Sequence, residues 1–340
     1  MDLGCEPLHI KYCTLRTINA CDLEDQSAEA KVDVVEAALK DGIFYLDFSN
    51  DTDLRECLSD IEELMRNLFG LNLAEKERFD IDRFDPLKLN GYKPIGRNLG
   101  GISGRCDGFE SYAVAQKDLL RDQSTVLRHP EIDLRVHSLR RVVRRCLSLA
   151  SIIFDALAED WPLPAQTTLK EMHGLCPSAE KDLSMNIVRL LRYAPDAEVT
   201  THVPQAPHTD MGSLTFLFAS TPGLQIRPQG AESWQYVLPR AGMAMVNVGE
   251  ALSLLSGQRF HSVLHRVASL PGRGMVERYS LAFLLRPERT AIMRSIQGFP
   301  GLEEAVTCEE WVMTKFKALR SRGDGKADSA VTVQSRRSCE

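Results

Sequence analysis

The sequence predicts a mixed α+β protein with a mostly β core, a sandwich or jelly roll wrapped by N-terminal helices. Three observations carry this. Helical periodicity dominates the first half; from about residue 185 the texture changes to short β-rich runs parted by turn residues. No regular alternation of strand and helix follows, which argues against a parallel α/β sheet.

Along the chain, "AEAKVDVVEAALK" at residues 28–40 sets apolar residues at helical spacing and stops at Asp41-Gly42. "IFYLDF" reads as a buried strand, and "DLRECLSDIEELMRNLFGL", from about 53 to 71, as a second amphipathic helix. "NGYKPIGRNLGGISGRCDGFESY" is rich in Gly and polar residues and too long for a connector, so it reads as a loop of the kind that covers active sites. Residues 131–160 again read as helix. The β-rich runs are "NIVRLLRYA", "SLTFLFA", "GLQIRP", "WQYVLP", "MAMVNVG", "SVLHRVASL" and "YSLAFLLRP". Thr307 and Glu310 form a capping box for the helix "CEEWVMTKFKALR". The expected organisation is one domain over 1–320, helix-rich to 180, with a β core at 185–290, a C-terminal helix at 300–320 and a disordered tail at 321–340.

With 340 residues, 44% hydrophobic and 26% charged, the chain can bury a sizeable core. A net charge of -6 offers no basic excess, so nucleic acid and membrane surfaces are disfavoured and a small molecule is the default partner. The nine cysteines are scattered, odd in number and without a C-x-x-C pair, against both a zinc cage and a disulfide framework. "MDLGCEPLHIKYC" lacks a signal-peptide pattern and no run approaches the ~18 apolar residues of a membrane span, so a cytoplasmic protein is expected. Nothing resembles a coiled coil or an interface strip, and oligomeric state stays open.

The chemistry begins at "APHTDMGSLTFLFAS". In an extended segment residues two apart point to one side, so His208 and Asp210 can grip one ion together. Alone, this spacing fits a surface turn with a capping Asp equally well. His265 in "SVLHRV" offers a third ligand, brought across the sandwich by neighbouring strands. Two histidines and one carboxylate make a facial triad that leaves positions open on Fe(II). His261 lies four residues before His265, but Val263 and Val267 favour strand and no Glu follows it, so it reads as structural or surface. In "RYSLAF", Arg278 and Ser280 share a strand face, and a guanidinium fork beside a hydroxyl suits a carboxylate. An exposed Arg on an edge strand is the plainer alternative.

The order His208, Asp210, His265, Arg278, Ser280 resembles the isopenicillin-N-synthase-like family of 2-oxoglutarate and Fe(II)-dependent oxygenases. The likeness includes "HTDMGSLTFL", "GLQI", "MVNVGE", "SVLHRV", "RYSLAF" and "EEWVMTKF", with "AALKDGIFYL" and "LNLAEKERF" in the first half, and covers most of residues 10–320. It implies a double-stranded β-helix, a jelly-roll variant, with His208, Asp210 and His265 on Fe(II). Arg278 and Ser280 would hold the distal carboxylate of 2-oxoglutarate, and Tyr193 matches a family tyrosine that also reaches it. With O2, oxidative decarboxylation would give succinate, CO2 and a ferryl oxidant, leading to hydroxylation, desaturation or ring rearrangement of a small organic substrate, most naturally in specialised metabolism. Two alternatives are an Fe(II) oxidase of the same fold that uses no 2-oxoglutarate, and a non-catalytic binding module.

The chain departs from the family pattern at Leu191, where relatives often have Asn, at Leu284, where an aromatic is common, and at Glu250, a usual Asp taken as structural. By alternation Arg278, Ser280, Ala282 and Leu284 share a face, so the substrate pocket is expected to widen at Leu284. Arg189 shares a face with Leu191 and Tyr193 and is a candidate to bind an anionic or phenolate group, a structural ion pair being the alternative. Tyr92, Lys93 and Arg97 in "GYKPIGRN" are candidates for a lid, although loop polarity explains them equally well.

Overall fold

The computed structural model describes residues 10–98, 105–121, 126–161, 168–176, 183–198, 203–294 and 306–320. The tail expected to be disordered, 321–340, lies outside them. The strands are β1 (Thr17–Asn19), β2 (Ile43–Asp47), β3 (Gly91–Lys93), β4 (Phe109–Ala115), β5 (Ile187–Tyr193), β6 (Gln205–His208), β7 (Leu214–Ala219), β8 (Leu224–Arg227), β9 (Gln235–Tyr236), β10 (Met243–Val248), β11 (Leu264–Val267) and β12 (Arg278–Leu285). The helices are α1 (Ala20–Glu24), α2 (Ala28–Lys40), α3 (Thr52–Gly70), α4 (Leu73–Glu77), α5 (Ile81–Phe84), α6 (Gln116–Leu120), α7 (Pro130–Leu134), α8 (Val136–Asp160), α9 (Leu169–Met172), α10 (Glu250–Leu255) and α11 (Cys308–Arg320).

Eight strands form a large sheet in the order β1-β2-β10-β7-β12-β5-β4-β3, and four form a small one, β6-β11-β8-β9. Period-two alternation gives the large sheet two apolar faces. Phe44, Leu46, Val188, Leu190, Phe216, Val246, Leu281 and Phe283 pack on the helix side, where α3, with Ile61, Leu64 and Leu68, lies against β5 and β12, and α8, with Val142, Leu149 and Ile153, packs on α2 and α3. The alternate residues Tyr45 and Met245 meet Leu224 and Ile226 of the small sheet. The two sheets thus form the jelly roll expected from the seven runs, and the helices cover its outer face. A strand buried on both sides reads as a continuous apolar run, which is why all eight residues of β12 are buried.

Helix ends follow the local signals. Ser27 caps α2 through the Ala30 amide and Asp51 caps α3 through the Leu54 amide. Gly42, at φ 68°, ends α2 with its amide donating 2.8 Å to the Ala37 carbonyl. A Cβ there would also lie 2.3 Å from the His261 carbonyl oxygen, so only glycine fits. The capping box closes as expected: the Glu310 amide donates to Thr307 Oγ1 at 3.2 Å and Glu310 accepts from the Thr307 amide at 2.8 Å. The helix expected over 131–160 breaks at Arg135, where φ −118° and ψ 19° leave the helical region and separate α7 from α8. No helix among the described residues is long and apolar enough to cross a membrane.

The larger difference lies in the polar stretch expected to be a loop, which supplies β3 and β4 to the edge of the large sheet. Its polarity is internal. Glu110, 2% exposed, takes Lys76 at 2.7 Å and Arg192 at 2.9 Å, while Lys93 pairs with Asp107 at 2.7 Å. Paired charges allow a charged sequence to be buried. Tyr92 belongs to this network: it is 1% exposed and donates its hydroxyl to Glu110 at 2.6 Å. It is therefore a core residue and not part of a lid, and Lys93 is buried over the Phe109 ring. Arg97 is engaged by Asp80 at 2.6 Å and by Asp82.

His173 pins the start of β7. It is buried, with Nδ1 2.6 Å from the Leu169 carbonyl and Nε2 2.6 Å from Ser213 Oγ. Burial pulls its pKa down from 6.5 to about 4. Between those values the unfolded ring takes up a proton that the folded ring refuses, so stability falls as pH drops through this window. The loss from this residue is on the order of 2 kcal/mol by pH ~4.5. Urea unfolding at neutral pH and at pH ~4.5 should show a shallower pH dependence for His173→Gln than for the wild type; equal slopes would contradict this assignment.

Candidate metal and cosubstrate site

β6 and β11 are antiparallel neighbours in the small sheet, and His208 and His265 are directly paired in their register. Their rings lie 4.2 Å apart. His265 is therefore beside His208 and not across the sandwich from it. Asp210 follows on the reversal that carries the chain into β7, so "GSLTFLFAS" belongs to the opposite sheet from His208. A donor atom from each of the three lies within 4.8 Å of the others, and Asp210 Oδ1 is 3.8 Å from both Nε2 atoms. With metal bonds of about 2.0–2.2 Å, one ion between them can reach all three.

The surrounding bonds orient these donors. His208 Nδ1 lies 3.0 Å from the Ala206 carbonyl and His265 Nδ1 3.1 Å from the Val263 carbonyl. Each ring donates backwards by two residues and turns its Nε2 lone pair inward. Asn247 donates to Asp210 Oδ2 at 3.0 Å, leaving Oδ1 free. Burial raises the Asp210 pKa, but the two imidazoles and the Asn247 amide more than offset it, holding the carboxyl at about 2. Burial, aided by His265, pulls His208 down to about 4. At neutral pH the trio offers a carboxylate and a neutral imidazole from His208, the protonation states a metal requires.

The corner is held by backbone. The Glu250 amide donates to the Asp210 carbonyl at 2.7 Å, and the Gly249 amide to the Ser213 carbonyl at 3.0 Å. A Cβ on Gly249 would lie 2.1 Å from the Gly212 carbonyl oxygen, so the two turns touch where neither tolerates a side chain. Glu250 accepts from Thr209 Oγ1 and pairs with Lys315 of α11, bracing the turn.

Arg278, 1% exposed, begins β12 with its guanidinium 4.9 Å above the Tyr193 ring. Its Nε donates to the Thr221 carbonyl at 3.1 Å and its Nη1 to Ser280 Oγ at 3.3 Å. No carboxylate pairs with it among the described residues, and burial pulls its pKa down. This is a fixed fork lacking a counter-charge, the arrangement that suits an incoming carboxylate. The Tyr193 hydroxyl donates to Gln205 Oε1 at 2.7 Å, and Gln205 Nε2 donates to His208 Nε2 at 3.1 Å. Gln205 thus joins the arginine end of the site to the histidine end.

On the same inward face Leu191 and Leu284, each 6% exposed, pack with Ala282. Arg189 stands opposite Ala282 in the register, and its Nε is enclosed without an acceptor. No ion pair holds it among the described residues, so the alternative of a structural pair is not what the structure shows. Sequence reasoning missed Gln205, Asn247 and Arg286. Asn247 left a signal, a lone amide inside "MAMVNV"; Arg286 left one in continuing the alternation beyond Leu284; Gln205 left none, because β6 is only four residues long.

Residues 184–287 match the family model described as the 2OG-Fe(II) oxygenase superfamily. Among curated relatives, the 2-oxoglutarate-dependent dioxygenase frbH of Dothideomycetidae sp. (strain 11243) is 28% identical over 317 residues, covering 93% of this chain and 94% of the relative. The 2-oxoglutarate-dependent dioxygenase iboH of Amanita muscaria is 37% identical over 171 residues, 49% of this chain and 78% of that protein. The crystal structure of a full-length Neurospora crassa protein in complex with alpha-KG superposes with a TM-score of 0.70 at 20% identity, covering 89% of this chain and 96% of that one. Matched family model, relatives and fold agree: the chain belongs to the 2OG-Fe(II) oxygenase superfamily, as a non-haem dioxygenase dependent on Fe(II) and 2-oxoglutarate.

Proposed function

We propose that His208, Asp210 and His265 ligate Fe(II), that Arg278, Ser280 and Tyr193 seat the distal carboxylate of 2-oxoglutarate, and that residues 1–320 act as one domain oxidising a small organic molecule of specialised metabolism. The observation that carries this reading is the paired register of His208 and His265 with Asp210 Oδ1 3.8 Å from each. When bound, Fe(II) would activate O2, the oxidant, with 2-oxoglutarate giving up two electrons and leaving as succinate and CO2. The chain supplies placement. Arg278 sits at one end of an inward strand face and fixes the cosubstrate's far end; Tyr193 stacks below that guanidinium. Leu191, Ala282 and Leu284 keep the next stretch of the face apolar, which excludes water and leaves room for a carbon skeleton. Arg189 stands beside them as a substrate-binding residue.

The 2-oxoglutarate reading is tested by product stoichiometry. Succinate should form in proportion to O2 consumed, and turnover of a substrate without succinate would reverse the reading in favour of a 2-oxoglutarate-independent oxidase. Arg278→Met should raise the 2-oxoglutarate KM roughly 10- to 100-fold, as expected for losing charge-assisted bonds of about 1.5–3 kcal/mol, while anaerobic Fe(II) affinity stays near wild type. An unchanged KM would remove Arg278 from the site. Asn247→Ala frees Asp210 Oδ2 and should weaken Fe(II) binding by about 10- to 100-fold, measured by anaerobic titration, with 2-oxoglutarate contacts intact. A variant that binds iron as the wild type does would show that Asn247 has no positioning role.

A further inference from the structure

The inward face of β12 continues past Leu284 to Arg286, whose side chain is 2% exposed and runs beside Gly212, where a Cβ would lie 3.5 Å from Arg286 Cγ. Gly212 is two residues from Asp210. Arg286 Nη1 donates to the Met185 carbonyl at 3.2 Å, but its Nε is enclosed without an acceptor, as is the Nε of Arg189. Neither guanidinium meets a carboxylate in any ion pair among the described residues. Burial first, and then the charge of Arg189, pull the Arg286 pKa down to about 10.

Position separates Arg286 from Arg278. Arg189 faces Ala282, four residues along β12 from Arg278, and Arg286 is four residues further on. At ~3.4 Å per residue each step is about 14 Å and the two together about 27 Å, so the carboxylate seated by Arg278 is out of reach of Arg286. Charge separates them as well. With Fe(II), Asp210, Arg278 and a doubly charged 2-oxoglutarate in place the charges cancel, and Lys93 is matched by Asp107. Arg286, which is buried, and Arg189, which is half-buried with its Nε enclosed, remain without a counter-charge among the described residues. Buried unpaired charge is unfavourable, and chains keep it where a ligand supplies the missing partner.

We infer that Arg189 and Arg286 form an anion clamp on the substrate side of the interior, and that the substrate class is organic carboxylates, taken up with the carboxylate between these two guanidiniums and the carbon skeleton against Leu284 and Leu191. This rests on the Fe(II) and 2-oxoglutarate reading above, because that reading assigns Arg278 elsewhere. The planar fork of arginine matches a carboxylate by two parallel hydrogen bonds, which a carboxamide of the same shape cannot replace.

The test uses the full-length protein loaded anaerobically with Fe(II) and 2-oxoglutarate, and calorimetric titration with aryl and alicyclic acids, each paired with its carboxamide (cinnamate and cinnamamide, 1-naphthoate and 1-naphthamide). At least one acid should bind tenfold or more tightly than its amide. Arg189→Met and Arg286→Met should each abolish that preference while the 2-oxoglutarate Kd stays within about twofold. Because a buried arginine can be needed for folding, thermal unfolding supplies a second readout on the same proteins and on Arg286→Lys. Without ligand, Arg189→Met should melt at or above the wild-type temperature, since like charge is relieved, and acids should raise the wild-type Tm but not that of the variant. Equal affinity for acids and amides, no acid binding at all, or a preference that survives Arg189→Met would overturn the clamp. A wild-type protein that takes up no 2-oxoglutarate in these samples would instead defeat the underlying cofactor reading, and a loss of 2-oxoglutarate binding confined to Arg189→Met would reassign that arginine to the cosubstrate.

Discussion

The large sheet is buried on both faces, and this constraint organises everything else. Because side chains alternate, each central strand gives one set of residues to the helices and the other to the interior between the sheets. On β12 the set Tyr279, Leu281 and Phe283 packs the core, and the set Arg278, Ser280, Ala282 and Leu284 faces the site. A slip of one residue would drive the arginine into the helix layer and expose the site to leucines. Packing against the helix layer, with α3 on β12 and β5, therefore fixes the register of the chemistry.

The metal corner depends on a second constraint, the contact of two turns at Gly212 and Gly249. It ties the reversal carrying Asp210 to the start of α10, and Asn247, two residues before Gly249, reaches Asp210 from the same junction. Rigidity here has a physical use. Three donors fixed by backbone turns would leave the remaining coordination positions to cosubstrate and O2 instead of to rearranged protein.

Much of this was legible in the sequence because the signals were local. Helices α2 and α3 announced themselves by periodicity, α2 also by its Asp41-Gly42 stop, the later strands by β-branched runs, and the ligand candidates by spacing and order. What escaped was the part set by tertiary pairing. Glu110 and Lys93 gave their segment the composition of a loop, yet each is neutralised by a partner brought in by the fold, so both ends of the segment, 91–93 and 109–112, are strand. The same error made Tyr92 a lid residue when it is a hydrogen-bonded part of the core. The short β6 has too few residues for any pattern, which hid both Gln205 and the direct pairing of His208 with His265.

In the proposed reading three arginines divide the labour, with Arg278 serving the cosubstrate and Arg189 and Arg286 facing the substrate. A crystal structure of the anaerobic Fe(II) and 2-oxoglutarate complex tests this division most directly. The expected result is one iron held by His208 Nε2, Asp210 Oδ1 and His265 Nε2, with the distal carboxylate on Arg278 and Ser280 and no carboxylate on Arg189 or Arg286. A cosubstrate carboxylate seated on Arg189, or an ion bound away from the three ligands, would contradict it.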